Sequence, residues 1–169
     1  MAPGGRVHPV SLDIAGLLTT RSTLRTVGPF EITDDPDRVD LDVVHAFLAE
    51  ESYWRRGVPR HVVETAVQMS LPLSVHLTGA AAPTMVGFGR VVTDTATVAW
   101  LDDVFVLAAH RRRGLAGALV EAAMAHPAVA GTSMQVLLTM DAHTLYARYG
   151  FGPFPEPGAF MSRHAPGAS

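Results

Sequence analysis

The stretch HRRRGLAGAL, residues 110–119, sets three arginines directly before a run of glycine, alanine and leucine. It lies between a Val- and Phe-rich segment and a helical repeat of apolar residues, so it reads as a strand-to-helix junction. A helix start carries unpaired N–H groups and the positive end of the macrodipole, and it attracts anions. Glycine there lets a phosphate approach the backbone, and guanidinium groups add further donors. An anion seat over Arg111, Arg112, Arg113, Gly114, Leu115, Ala116 and Gly117 is one reading. A solvated basic helix start with small packing residues is the other, and a lone Gly-x-x-Gly spacing does not separate them. The junction is neither a Walker A loop nor the dinucleotide fingerprint, since the residues those motifs require are missing. Just upstream, WLDDVF places Asp102 and Asp103 side by side in an apolar run. A carboxylate there is costly unless it is paired or has a task. Strand alternation sends the two to opposite faces, so only one can look into a given cleft. Asp103, in step with Leu101 and Phe105, is slightly preferred as the site-facing residue; pairing with a nearby arginine is the structural alternative. The eight histidines are scattered, with no metal-ligand spacing, and no metal site is expected.

These residues need elements to hold them. Residues 1–27 mix Gly, Pro, Arg and Ser and are expected as a flexible arm, with one helical turn in LDIAGLL. A single domain is expected over 28–169. GPFEITDDPD reads as a short strand closed by an Asp/Pro turn. Leu41, Val44 and Leu48 recur at helical spacing, and Val62, Val63, Ala66 and Val67 repeat the pattern beyond the Gly57/Pro59 break. Strands follow at 71–78, 84–93 and 95–107, then an amphipathic helix from Leu115 to about Pro127. The run 133–140 reads as a buried strand. Asp141 is placed to cap a short helix, AHTLYARY, stopped by Gly150, and the tail to Arg163 as one more strand or two. This mixed order predicts an α+β fold, a mixed and mostly antiparallel sheet of six to seven strands flanked by about four helices. It does not alternate as a doubly wound fold does.

Composition narrows the functional classes. The 169 residues are 48% hydrophobic and 17% charged, a globular balance, with a formal net charge of −3. A nucleic-acid binder normally carries a net basic footprint, so the arginines of 111–113 are a local spot on an acidic body and no nucleic-acid partner is expected. With no cysteine, disulfides, thiolate metal sites and a cysteine nucleophile are excluded. No apolar run approaches the roughly 18 residues of a membrane span, and the first residues do not read as a signal peptide. A cytoplasmic protein without a membrane partner is the expectation.

Two segments together resemble a known family. VFVLAAHRRRGLAGALV is similar to the acetyl-CoA motif of the GCN5-related N-acetyltransferase (GNAT) superfamily, with its Arg/Gln-x-x-Gly-x-Gly/Ala falling on Arg111, Gly114 and Ala116. Downstream, AHTLYARYGF resembles the family's Ala-x-x-x-Tyr-x-x-x-Gly-Phe segment through Ala142, Tyr146, Gly150 and Phe151. The resemblance spans about residues 28–163. It implies that the amides of 112–117 seat the pyrophosphate of coenzyme A. It also implies that the backbone of Val104, Phe105 and Val106 runs beside the pantetheine arm, with the Val106 amide or its neighbour polarising the thioester carbonyl. Tyr146 falls on the position that protonates the coenzyme A sulfur; packing of the last helix is its structural alternative. Asp103 and Asp102 are the candidate bases, with Glu51 and His45 weaker. Acceptor selection would fall to EESYWRRG, where Glu51, Tyr53 and Trp54 set carboxylates beside aromatic rings, a pairing that suits a cationic amine. Tyr53 and Trp54 could equally cap the helix pair. Thr139 stands where the family often has Asn, and Met134 where ribosomal-type N-terminal acetyltransferases have Glu. The resemblance implies transfer of an acetyl group from acetyl-CoA to a small-molecule primary amine. A non-catalytic acyl-CoA sensor and a protein lysine acetyltransferase are the alternatives, and a homodimer is common in the superfamily.

Overall fold

Leu, Val, Thr and Phe fill residues 71–77, 84–93 and 98–106, and these become the long central strands of one six-stranded sheet in the computed structural model, which describes residues 18–79 and 83–163. The strands are β1 (Thr23–Val27), β2 (Phe30–Thr33), β3 (Leu71–Leu77), β4 (Thr84–Thr93), β5 (Val98–Val106) and β6 (Met134–Leu137), in that spatial order. Every neighbouring pair is antiparallel except β5 and β6, which are parallel. The helices are α1 (Leu41–Ala46), which widens into a π-turn over Phe47–Glu51, then α2 (Arg60–Gln68), α3 (Leu115–Ala125), α4 (Pro127–Ala130) and α5 (His143–Ala147). The predicted α+β class is the observed one. No helix among the described residues is long and apolar enough to cross a membrane.

Each face of the sheet has its own core. One face buries Ile32, Leu73, Val75 and Leu101 against Leu115, Leu119 and Ala122 of α3. The other buries Phe88 and Phe105 against Val44, Phe47 and Leu48 of α1 and its π-turn and Val63 and Val67 of α2. Strand alternation supplies the two faces, and helical spacing supplies the stripes that cover them.

Three sequence expectations change. Residues 18–27 were assigned to the arm, but Leu18 is buried in the core and Thr23–Val27 pair with β2. The physical cause is a two-residue hairpin at Gly28-Pro29, where Gly28 takes a φ of 55° that a side chain would resist. The rest of the arm, with most of LDIAGLL, lies outside the described residues. The run 133–140 is not a buried strand: β6 is four residues at the sheet edge, and Leu138 and Met140 are largely exposed. An edge strand has one neighbour, so little of it is covered. The tail to Arg163 adds no strand. Pro153, Pro155 and Pro157 remove the donors that a ladder needs, and the segment turns instead, with Phe160 against Trp100 at 6.3 Å.

A buried polar knot ties the sheet's first strands to the far end of α3. The Asp34 carboxylate, fully buried after β2, accepts from the Thr20 amide, the Thr20 hydroxyl (2.7 Å) and the Ser22 amide (2.8 Å). His126, at the α3–α4 junction, completes it at 3.2 Å. The Ala128 amide donates to His126 Nδ1 at 3.1 Å, so the ring proton sits on Nε2 and points at Asp34. Burial alone would raise the Asp34 pKa, but the amides of Ser22 and Thr20, the Thr20 hydroxyl and His126 outweigh it and hold the group below the usual carboxylate value. Asp34→Ala leaves the buried His126 Nε2 without its acceptor while the donors of Thr20 and Ser22 turn to solvent, and should cost about 2 kcal/mol in urea unfolding at neutral pH. Because the folded pKa is the lower one, this stabilisation is complete above the unfolded value of about 3.9. The gap between wild type and variant should therefore close as pH falls through and below that value.

Candidate active site

Register slips at one place in the centre of the sheet. Phe88 pairs with Phe105 and Arg90 with Asp102, so Gly89 alone stands opposite Asp103 and Val104. This is a β-bulge, and Asp103 absorbs it at a φ of 53°, in the left-handed region that Asp tolerates better than most residues. Gly89 leaves room for it, since a Cβ there would lie 3.2 Å from the Val104 side chain. Alternation was expected to send Asp102 and Asp103 to opposite faces. The extra residue cancels that alternation, and both carboxylates meet the same arginine: Arg90 Nε donates to Asp103 Oδ2 at 2.7 Å and Arg90 Nη2 to Asp102 Oδ2 at 2.5 Å. Arg55 reaches the same pair, at 2.9 Å to Asp102 and 3.5 Å to Asp103. Trp54 Nε1 donates to the other Asp103 oxygen at 3.0 Å. The Asp103 side chain is 3% exposed and bonded at both oxygens, which is the arginine-paired arrangement rather than that of a free base.

The π-turn after α1 sets the loop that carries Trp54 and Arg55. Ser52 is buried, its amide bonded to Phe47 O and its hydroxyl donating to Leu48 O at 2.7 Å while accepting from the Arg55 amide at 3.1 Å. Phe47 stacks face to face on Phe105 with centroids 4.0 Å apart, and Trp54 lies edge-on to Tyr53 at 4.9 Å. The loop's aromatic residues thereby rest on β5. His45 Nε2 donates to Val58 O at 3.1 Å, which occupies that nitrogen in holding the loop. Glu51 is exposed at the end of the π-turn, its side chain without a hydrogen bond or ion pair to the described residues. Between α2 and the Arg90–Asp103 pair lies a cavity of about 60 Å³ lined by Val62, Val63, Ala66 and Val67.

Just ahead of the bulge, β5 and β6 part. Their pairing ends at Leu101 and Leu137, and the β6-facing edge of β5 has no strand partner from Asp102 to Val106 among the described residues. The far side of this gap is reached by the β6–α5 loop and by Tyr146 on α5. Tyr146 is buried, packs edge-on to Phe151 at 6.0 Å, and its hydroxyl makes no hydrogen bond among the described residues. Burial, then the charges of Tyr53, Asp141 and Asp102, push its pKa up to about 12. Gly150 ends α5 at a φ of 85°, with Phe151 N bonding back to Tyr146 O, as a Schellman turn requires. Tyr53 spans the gap: its hydroxyl donates to Asp141 Oδ1 at 3.3 Å and accepts from the Met140 amide at 3.1 Å.

At the end of β5 the arginine–glycine junction turns into α3. Arg112 and Gly114 take φ values of 60° and 78°, and the first bond into the helix is Ala118 N to Gly114 O at 3.0 Å. The amides of 115–117 therefore have no i−4 partner. Arg111 folds back, its Nε on Val106 O at 2.9 Å, and Arg113 lies over the Phe30 ring at 5.9 Å. Gly117 is glycine for a reason of space, since a Cβ there would meet the Tyr149 hydroxyl at 2.5 Å.

Residue types alone missed several of these groups. Arg90 carried a signal, being one charge in the apolar run TMVGFGRVVT, which demands a carboxylate in the facing strand. Arg55 had none beyond its place beside Tyr53 and Trp54. Asp141 was expected to cap α5, but the cap position is Ala142, whose amide bonds Thr139 Oγ1 at 3.0 Å, and the Asp141 carboxylate turns to Tyr53 instead.

Comparison with known proteins decides the family. The profile described as Acetyltransferase (GNAT) domain matches residues 75–153, which contain the bulge, the junction and α5. A crystal structure from Xanthomonas campestris pv. campestris, of a protein ascribed to the GNAT family of acetyltransferases, is 38% identical, with a TM-score of 0.77 over 84% of this chain and 97% of that one. The chain belongs to the GNAT acetyltransferase family. It is an N-acetyltransferase. More distant structures share the fold: a Staphylococcus aureus protein of unknown function (21% identity, TM-score 0.62, 80% and 99% coverage) and glucosamine-6-phosphate N-acetyltransferase from Arabidopsis thaliana (14%, 0.56, 80% and 97%). No curated protein matches the chain in sequence.

Members of this family generally use acetyl-CoA, and the junction fits such a group. Its free donors are backbone N–H groups and guanidinium groups, with no carboxylate bonded to them among the described residues, which is the chemistry a diphosphate needs.

The Arg90 ion pair makes one expectation plain. Arg90→Ala would leave the buried Asp103 with Trp54 and the half-exposed Arg55 as its remaining partners. The loss should be about 3–5 kcal/mol in the chemical-denaturation free energy.

Proposed function

We propose that this acetyltransferase moves the acetyl group of acetyl-CoA directly to the primary amine of a small molecule. Acetyl-CoA would supply the activated thioester. Its residues of contact would be the amides of 112–117 with Arg111 and Arg112 at the junction, and the backbone of Val104, Phe105 and Val106 along the unpartnered edge of β5. A backbone amide near Val106 is suited to polarise the acyl carbonyl, as a fixed N–H donor in a site shielded from water. The observation that carries the proposal is Tyr146. A phenol that is buried, unbonded and held at a pKa of about 12 keeps its proton throughout the neutral range. It is therefore available as a donor to the leaving sulfur.

Asp102 and Asp103 serve this reaction as positioning residues, because their oxygens are already committed to Arg90, Arg55 and Trp54. They shape β5 and anchor the loop that carries Trp54. Support for a small acceptor comes from the Tyr53 bridge to Met140 and Asp141, which crosses the gap that an extended peptide would need to occupy. The cysteine-free sequence suits the reducing cytoplasm.

An amine panel with acetyl-CoA tests the reading, followed by free-thiol appearance and product mass. Benzylamine, spermidine, lysine and aniline cover charged and neutral acceptors. Thiol release that depends on the amine is expected, and CoA binding without release for any of these amines would overturn transfer to small amines. Tyr146→Phe should lower turnover about 100-fold with little change in acetyl-CoA affinity by calorimetry. Unchanged turnover would remove Tyr146 from the chemistry.

A further inference from the structure

Three carboxylates lie around the gap between β5 and β6, and their circumstances differ. Asp103 is buried under Arg90, Arg55 and Trp54. Asp102 is bonded to Arg90 and Arg55. Asp141 has no cationic partner among the described residues; its one side-chain bond is the Tyr53 hydroxyl at 3.3 Å. It is also exposed, on the loop that leads into α5. Its field reaches Tyr146, since Asp141 is among the charges that hold that phenol's proton on. The negative charge of this mouth that is left uncompensated therefore belongs to Asp141.

We infer that Asp141 is the seat for the acceptor's ammonium group, with Tyr53 orienting its carboxylate from across the gap; the bound ammonium gives one proton to solvent at this open mouth before its nitrogen attacks. This deepens the function proposed above and rests on it. An exposed carboxylate that keeps Oδ2 free, held by a tyrosine hydroxyl and close enough for its charge to act on the Tyr146 phenol, is built to attract a cation from solvent. Carboxylates already neutralised by arginine are not. The Tyr53 bond fixes the Oδ1 atom and leaves Oδ2 open. Tyr53 thereby acts as a positioning residue, and Asp141 as the one that touches substrate. Neutral amines of the same size forgo this contact, so the site discriminates by charge before any chemistry occurs.

Steady-state kinetics with benzylamine, an ammonium at neutral pH, and aniline, neutral there, test the assignment in wild type, Asp141→Asn, Asp141→Glu and Tyr53→Phe. Asp141→Asn should lower the ratio of kcat/KM for benzylamine to that for aniline at least about tenfold, mainly through the benzylamine KM. Asp141→Glu should recover part of the ratio, and Tyr53→Phe should lower it less than Asp141→Asn does. If Asp141 merely anchors its loop through Tyr53, the Asn and Phe variants would lose activity alike on both amines, and the ratio would hold. That result overturns the assignment, as does wild-type turnover of aniline without turnover of benzylamine. Absence of thiol release with every amine in the panel would instead overturn the acetyl-transfer reading on which it rests.

Discussion

A buried arginine in the middle of a sheet must find its counter-charge within the sheet, and Arg90 finds it by bending β5. Holding a guanidinium at 7% exposure without a partner would cost several kcal/mol. Two consecutive aspartates answer it, but consecutive residues of a regular strand face opposite ways. The bulge at Asp103 resolves the conflict. It places both carboxylates on one arginine and accepts a left-handed backbone at Asp103. The glycines on either side of Phe88 make the close approach possible, because a Cβ at Gly87 would come within 3.0 Å of Phe105 O. Pairing with β6 stops at Leu101, two residues before the bulged Asp103. The gap that exposes the edge of β5 thus opens where the ion pair begins.

The α1–α2 loop is attached to the same feature. Its indole and guanidinium end on Asp103 and Asp102, and its π-turn keeps Phe47 flat on Phe105. π-turns recur where a helix must shift the phase of its side chains near a site. Here the shift buries Ser52, whose hydroxyl bonds both Leu48 O and the Arg55 amide. Charge network, aromatic stack and loop form one unit, and a substitution in any of them will be felt by the others.

At the opposite end of α3 the Asp34–His126 knot has a complementary task. It fixes the helix C-terminus to β1 and β2, while Gly117 lets Tyr149 close against the helix near its N-terminus. The direction of α3, and with it the aim of its free amides, is set by these two attachments. Each joins a residue in or next to the helix to a partner far off in sequence, Asp34 in one case and Tyr149 in the other.

Much of this was legible in the residues. Helical and strand periodicities marked α1, α2, β3, β4, β5 and α3, because burial on one face writes itself into spacing. The glycine after Tyr149 marked the end of α5, since a left-handed turn there needs it. The junction of Arg111–Gly117 was legible as a strand-to-helix turn with exposed amides, a property of local backbone alone. Other features were not legible, and each for the same kind of reason. The two-residue hairpin at Gly28-Pro29 took its meaning from β2 pairing on both sides, and the end of β6 from where β5 turned away. Asp102 and Asp103 were assigned opposite faces by a rule that one extra residue in the ladder cancels. Asp141 was read as a cap, whereas a tyrosine 88 positions earlier claims it. Sequence by itself determined the elements, their order and the chemical types available, because those depend on near neighbours. Which charges are neutralised and which stay free was decided by tertiary structure, because an ion pair is set by distance through space and the chain brings its partners together from both ends.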